Sequence, residues 1–108
     1  MLRIRVHDGD PGPTHLDNTV GAWGTVDTFE PYLVDNERLG LRCPTAVYVG
    51  IAERDIVLRW VTWWWVMDGG RYLYTGTIGG EYGVKVLSGA NIHVVGLSIG
   101  VTFDQLVP

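Results

Sequence analysis

The sequence is short of the residues that mark disulfide-stapled and nucleic-acid-binding proteins. It has a single cysteine, Cys43, so no disulfide can form within the chain and nothing requires an oxidising compartment. Eight Lys and Arg stand against twelve Asp and Glu, giving a net charge of −4, and the basic residues occur singly. Because phosphate contacts require a basic patch or stripe, we expect no nucleic-acid partner.

Helical periodicity is also missing. No segment places apolar residues at i, i+3, i+4 and i+7 over two turns, so the sequence predicts little or no helix. Arg3 and Arg5 have no apolar segment behind them, and we expect synthesis in the cytosol without a secretory signal. The uncharged run 86–103 has nearly the length of a membrane span, but it contains glycines and polar residues and alternates with period two. We interpret it as strands and expect no membrane partner.

What the chain has in quantity is apolar, strand-forming sequence. Apolar residues make up 46% of 108 positions and charged residues 19%, which is enough for one core and indicates a folded chain. Residues 2–7 alternate cleanly, with Leu2, Ile4 and Val6 opposite two arginines and a histidine. Six to eight strands with glycine-rich turns predict an all-β single domain over residues 1–108, an antiparallel β-sandwich or small barrel.

Four of the five tryptophans lie in the segment WVTWWWVMDGGRYLY at positions 60–74. Its DGG sequence predicts a tight hairpin turn. Antiparallel pairing then divides the large side chains between two faces. The first face carries Val57, Arg59, Val61, Trp63, Trp65 and Met67 with Tyr72 and Tyr74. The second carries Ile56, Leu58, Trp60, Thr62, Trp64 and Val66 with Leu73. Neither face is polar.

This amount of aromatic surface must be covered. The small residues Gly96, Ser98 and Gly100 could leave room on one strand for indole rings. The sequence does not determine which of the two faces is covered in this way. The face that remains exceeds what a small chain can cover, and monomers seldom expose apolar patches above a few hundred Å². We therefore expect another copy, another protein or a ring-stacking ligand on that face. The alternative is a closed barrel whose N-terminal half folds over it.

Two local patterns resemble reactive sites and are interpreted otherwise. Gly96-Leu97-Ser98-Ile99-Gly100 matches the nucleophile elbow of hydrolases, but no helix follows and His93 precedes the serine. The sequence therefore predicts no catalytic residues and no enzyme. The side chains of His7, Asp8, Asp10, His15 and Asp17 crowd into the loop that follows the first strand, yet their spacing matches no metal-ligand pattern. A solvated turn is the interpretation, with no metal and no cofactor.

The candidate binding residues are the aromatics of the first hairpin face with the nearby arginines, namely Trp63, Trp65, Tyr72, Tyr74, Arg59 and Arg71. Tryptophan, tyrosine and arginine concentrate in protein interfaces. We expect a non-enzymatic structural or interaction protein, a homo-oligomer or a subunit docked on a larger protein. A small virion subunit would fit, although the final location is open. The first alternative is a carbohydrate-binding module that stacks sugars on these rings. The second is an inhibitor or anti-defence protein bound to one host enzyme.

Overall fold

The computed structural model describes residues 2–35, 38–66, 70–95 and 97–102, and for 98–102 only the backbone. Within these residues the chain forms eleven β-strands and one short 3-10 turn, Gly80–Tyr82. The strands are β1 Leu2–His7, β2 Thr19–Thr25, β3 Glu30–Leu33, β4 Arg38–Arg42, β5 Val47–Ile51, β6 Ile56–Leu58, β7 Trp60–Trp65, β8 Arg71–Thr77, β9 Val84–Val86, β10 Asn91–Val94 and β11 Ser98–Thr102. The all-β prediction is confirmed. No helix in the described ranges is long and apolar enough to cross a membrane.

Eleven strands replace the expected six to eight because the long alternating runs are divided. The run 55–67 breaks at Arg59, whose amide donates to the His7 carbonyl (3.0 Å) and whose carbonyl accepts from the Ile78 amide (3.0 Å). On either side of this break, β6 pairs with β9 while β7 pairs with β1 and β8. The run 92–103 divides in the same way, since β10 pairs with β5 and β11 with β4.

All seven strand pairings among the described residues are antiparallel, and the strands form four separate sheets. The largest is a four-stranded sheet in the order β2-β1-β7-β8, which we call the main sheet. The three smaller sheets have the strand orders β11-β4-β3, β10-β5 and β6-β9. In the three-stranded sheet, β3 is an edge strand whose four residues are all exposed.

The predicted hairpin is present as β7 and β8, although residues 67–69 of its turn lie outside the described residues. Its register contains a bulge that sequence arithmetic did not anticipate. Trp63 pairs with Tyr74, but Trp64 pairs with Tyr72, so Leu73 is an extra residue on β8. The prediction that Tyr72 shares a face with Trp63 and Trp65 is therefore wrong. The bulge moves Tyr72 to the face of Trp64.

The core lies against the inner face of the main sheet. That face carries Leu2, Ile4 and Val6 of β1, and across the ladder Val61 and Trp63 of β7. Further buried apolar side chains, from the smaller sheets and from the residue before β11, cover this face. They are Leu41, Val47, Val49, Ile56, Leu58, Ile92, Val94 and Leu97. Trp63, only 1% exposed, is thus enclosed by the chain itself.

The three-stranded sheet β11-β4-β3 contains an aromatic ring packed on a strand glycine. This kind of contact was expected from the sequence, but the residues that make it differ from those expected. Gly40 pairs with Tyr32 on one side and Gly100 on the other. The Tyr32 ring lies directly over Gly40, where any Cβ would collide with it. Arg42 in turn lies 5.0 Å from the centroid of the Tyr32 ring. Gly96 and the side chain of Ser98 lie outside the described residues.

Candidate functional site

The second face of the main sheet, which we call the outer face, turns away from the core. The register places Arg3, Arg5 and His7 of β1 on this face. Its other members follow from the same pairings: Trp60, Thr62 and Trp64 of β7, Tyr72 and Thr75 of β8, and Trp23 of β2. An antiparallel sheet usually exposes one polar face, and here that face carries rings and guanidinium groups instead.

Three rings meet at the centre of the outer face. Trp64 contacts Trp23 edge to face, with ring centroids 5.6 Å apart and planes at 87°. It contacts Tyr72 in a similar arrangement, at 5.7 Å and 74°. Such T-shaped pairs place a ring edge on the negative face of its neighbour. We call Trp23, Trp64 and Tyr72 the aromatic cluster, and in it Trp64 is only 8% exposed.

The loop 8–18 covers part of this cluster. The His15 imidazole stacks flat on the Tyr72 ring, with centroids 3.5 Å apart and planes 3° from parallel. His15 has φ of 61°, a left-handed conformation that costs a non-glycine residue energy. The loop is held by the Asp8 amide donating to the Asn18 carbonyl (3.1 Å) and by the ion pair between Arg54 and Asp8 (2.6 Å).

A chain of hydrogen bonds joins the loop to the sheet through His7, which is 0% exposed. Its Nδ1 lies 2.8 Å from the Asp17 carbonyl oxygen, and its Nε2 lies 2.8 Å from Thr62 Oγ1. A carbonyl can only accept, so Nδ1 carries a proton, and in the neutral ring Nε2 accepts from the Thr62 hydroxyl. Thr62 Oγ1 also accepts from the Trp64 indole N–H, at 2.9 Å. The geometry thus fixes the tautomer of the neutral imidazole.

Burial lowers the pKa of His7 below its ordinary value of 6.5, because desolvation disfavours the charged imidazolium. The hydrogen bond to the Asp17 carbonyl raises this pKa, the positive charge of Arg5 lowers it, and the charge of Asp8 raises it. Desolvation is the largest of these effects. Burial therefore favours the uncharged form of His7.

The two arginines of β1 lie beside the aromatic cluster. The Arg5 guanidinium carbon is 5.1 Å from the centroid of the Trp23 ring, a cation–π contact, and Nη2 donates to the Gly21 carbonyl (3.2 Å). Burial lowers the pKa of Arg5. The Nε atoms of Arg3 and Arg5 are buried without a hydrogen-bond partner among the described residues, and neither ion pair within those ranges includes them. An unsatisfied buried donor of this kind costs stability.

The six binding residues predicted from the sequence do not form one surface. Trp63 belongs to the core, and Trp65 is half-buried against it. Tyr74 is 41% exposed on the inner side, whereas Tyr72 belongs to the aromatic cluster. Arg71 pairs with Trp65 in the β7–β8 ladder, and the exposed Arg59 donates to the Glu81 carbonyl (3.3 Å).

Sequence reasoning missed the residues that the outer face brings together. Trp23 lies in a segment with two nearby glycines, and its strand was only weakly indicated. The alternation of β1 did place Arg3, Arg5 and His7 on one side, and that side could have been matched to the tryptophans of β7. The contact between His15 and Tyr72 has no signal in the sequence.

The two sequence patterns that resemble reactive sites both have ordinary local structure in the described residues. Ser98 begins strand β11, which agrees with the strand interpretation of GLSIG over 98–100. No group of three or more His, Cys, Asp or Glu side chains able to hold a metal ion occurs in the part of the chain that the structure describes. In the loop, Asp10 accepts from the Gly12 amide (2.8 Å) and Asp17 from the Thr14 hydroxyl (3.2 Å), the local hydrogen bonds of a turn.

A cavity of about 520 Å³ lies at the other end of β7 and β8, between these strands and β9 and β10. Trp63, Tyr74 and Ile92 contribute to its apolar lining, and Asn91 and His93 are polar residues around it. Its volume falls in the range of small-ligand sites.

Comparison with known proteins gives no relative from which a function could be transferred. No family model matches the chain, and neither a curated protein nor a solved structure matches it. The fold and the outer face by themselves define the class of protein. It is an all-β domain in which one sheet face carries aromatic rings and arginines.

Proposed function

We propose that the protein is a non-enzymatic interaction protein that docks, through the outer face of its main sheet, on a copy of itself or on a larger protein. The observation that carries the proposal is the grouping of Trp23, Trp64 and Tyr72 with Arg3 and Arg5. These are the residue types that dominate binding energy in protein interfaces.

The cation–π contact holds the Arg5 side chain across Trp23 before docking. A side chain that is already ordered loses less conformational entropy when a partner binds.

Light scattering on a size-exclusion column, over a hundredfold range of protein concentration, tests docking between copies. The wild-type protein is expected to give a mass above that of one chain, and Trp23→Ser and Arg5→Glu are expected to return it toward the monomer. Tyr82→Ser is the matched control, because Tyr82 is 80% exposed and lies outside the outer face. It should leave the mass unchanged.

A larger partner is tested by placing a photo-crosslinking amino acid at position 23. The captured protein is then purified and its affinity measured for the wild type, Arg5→Glu and Tyr82→Ser. The proposal expects Arg5→Glu alone to weaken binding, by about tenfold or more, since a desolvated charged contact contributes on the order of 2 kcal/mol or more. Equal affinities, together with a mass that neither outer-face substitution changes, would contradict docking through this face.

A second candidate function is binding of a carbohydrate or similar small ligand, and the cavity favours it. Trp63 and Tyr74, both predicted as stacking residues, line the same space, with Asn91 and His93 available for hydrogen bonds. A glycan panel read by tryptophan fluorescence tests it. Binding that Tyr74→Ala removes and Tyr82→Ala preserves would support it, and silence across the panel would count against it.

A further inference from the structure

The loop 8–18 covers part of the outer face, and one of its attachments to the sheet is a hydrogen bond to a buried histidine. We infer that this loop is a proton-released cover. Neutral His7 holds the loop over the aromatic cluster, and protonation of His7 frees it and exposes the cluster for docking. The behaviour of the loop stands on its own geometry, whereas its consequence for docking rests on the proposed function.

The burial of His7 in the closed arrangement favours an uncharged imidazole. Both nitrogens of His7 are already used, Nδ1 as donor to the Asp17 carbonyl and Nε2 as acceptor from Thr62. The ring is fully enclosed, so neither nitrogen can turn to water. The bond to Asp17 is the link from this ring to the loop, because it joins positions 7 and 17 at the two ends of the covering segment.

A second ring proton would reverse the direction of the hydrogen bond between His7 and Thr62. Protonated Nε2 would donate toward Thr62 Oγ1, which already accepts the Trp64 indole N–H (2.9 Å). The hydroxyl would have to turn its own proton away from the acceptor that it has now. The imidazolium charge would also be buried between uncharged partners, which is strongly unfavourable. Release of the loop relieves both costs, because it brings the ring into water.

Among the described residues, no carboxylate is in contact with the His7 ring. The titratable and charged groups on the elements packed around His7 are Arg3 and Arg5 of β1, Asp8, Asp10, His15 and Asp17 of the loop, Arg54 next to Asp8, and Arg59 before β7. β2 and β7 face His7 with Thr19, Trp60 and Thr62, none of which titrates. The Asp8 carboxylate is bound to Arg54 (2.6 Å), and Asp17 offers His7 its carbonyl rather than its carboxylate.

The direction of the pH effect follows from proton binding. In the closed protein the pKa of His7 lies below 6.5, whereas a ring freed into water titrates near its ordinary value. The open form therefore binds more protons, and its population relative to the closed form rises as pH falls below about 6.5. The rise is up to about tenfold per pH unit and ends at the pKa of the closed form. The window from pH 7.5 to 5.0 brackets the ordinary pKa of histidine.

NMR of the ¹⁵N-labelled full chain tests the inference. At pH 7.5 the ring nitrogens of His7 should report the neutral tautomer with the proton on Nδ1. Hydrogen exchange of the Asp8, His15 and Asp17 amides, which bond within the loop, should be followed from pH 7.5 to 5.0 and corrected for intrinsic rates. Their protection is expected to fall about tenfold or more across this range, while β1 and β7 amides keep theirs.

Three variants assign the effect. His7→Gln carries no titrating ring, so the loop should lose its pH dependence. His93→Gln alters an exposed histidine on β10 and should leave the pH dependence intact. His15→Gln removes the stack on Tyr72, which should lower loop protection at every pH while the pH step remains. If His7→Gln does not fold, the wild-type titration decides the question: the loop exchange must follow the His7 ring shifts.

Several outcomes would overturn the cover: a charged His7 or the opposite tautomer at pH 7.5, protection that stays flat down to pH 5.0, or a pH step that persists in His7→Gln. The docking consequence has a separate readout, light scattering at pH 7.5 and 5.0. It expects association to increase in acid, and Trp23→Ser to remove the increase. A loop that opens while association is unchanged at both pH values would defeat the docking role and leave the cover standing.

Discussion

Trp63 and Trp64 are neighbours in one strand and are buried by different means on opposite faces of one sheet. Trp63 is packed among aliphatic side chains of several ladders. Trp64 makes T-shaped contacts with two other rings of the aromatic cluster, and its indole N–H donates a hydrogen bond to Thr62. Burial on the inner face depends on filled volume, whereas burial on the outer face depends on directional contacts and on a loop. The first should resist changes of pH and salt better than the second.

The largest expected effect is at the inner ring. Trp63→Ala should lower the free energy of unfolding by about 3–5 kcal/mol, since it removes a core indole and enlarges an existing cavity. Trp64→Ala should cost less, because the loop and the neighbouring rings can settle into the space. Urea denaturation of both variants measures the difference. Equal losses would mean that the two faces are equally rigid.

A smaller effect is expected at Thr62, which serves both His7 and Trp64. Thr62→Val keeps the shape but removes the hydroxyl, and each orphaned ring nitrogen should cost roughly 1–3 kcal/mol. Thr62→Ser retains the hydroxyl and serves as the control, with a loss expected below that of Thr62→Val. If valine is as stable as serine in thermal denaturation, the hydrogen-bond chain does not hold the outer face together.

The smallest effect is expected at the ion pair that anchors the loop. Arg54→Gln should change global stability by less than about 1 kcal/mol, because the arginine side chain is 70% exposed. Its consequence should appear locally, as faster hydrogen exchange of the Asp8 amide. High salt should reproduce part of this change in the wild type. Arg38→Gln, which breaks the other exposed pair, should leave the loop unaffected.

The parts of the fold that the sequence predicts are those governed by simple alternation. Leu2, Ile4 and Val6 were expected to be buried together, and they form the central strand of the inner face. The long run 55–67 was expected to pair with the segment after residue 70, and β7 and β8 do so. In both cases the pattern is local, and the apolar side can be buried only in the core.

The candidate site was predicted less well, because it depends on features that alternation does not encode. A single extra residue at Leu73 changes the face of Tyr72, and a one-residue shift reverses every side chain beyond it. The break at Arg59 depends on hydrogen bonds to His7 and Ile78, residues far away in the sequence. The expectation that a partner must cover one of the two tryptophan-bearing faces also ignored the loop 8–18, which covers part of the outer face.

The exposed edge strand β3 has a consequence for the behaviour of the protein at high concentration. The Val34 amide donates to the Arg38 carbonyl (3.3 Å), so the alternation of the ladder turns the backbone groups of positions 31 and 33 toward the free edge. Position 31 is proline and has no N–H to offer. A strand arriving at β3 finds one amide donor, at Leu33, where a regular edge would offer two. Pro31 thus disfavours the pairing of further strands with this edge, and with it fibril growth, although Leu33 is 78% exposed.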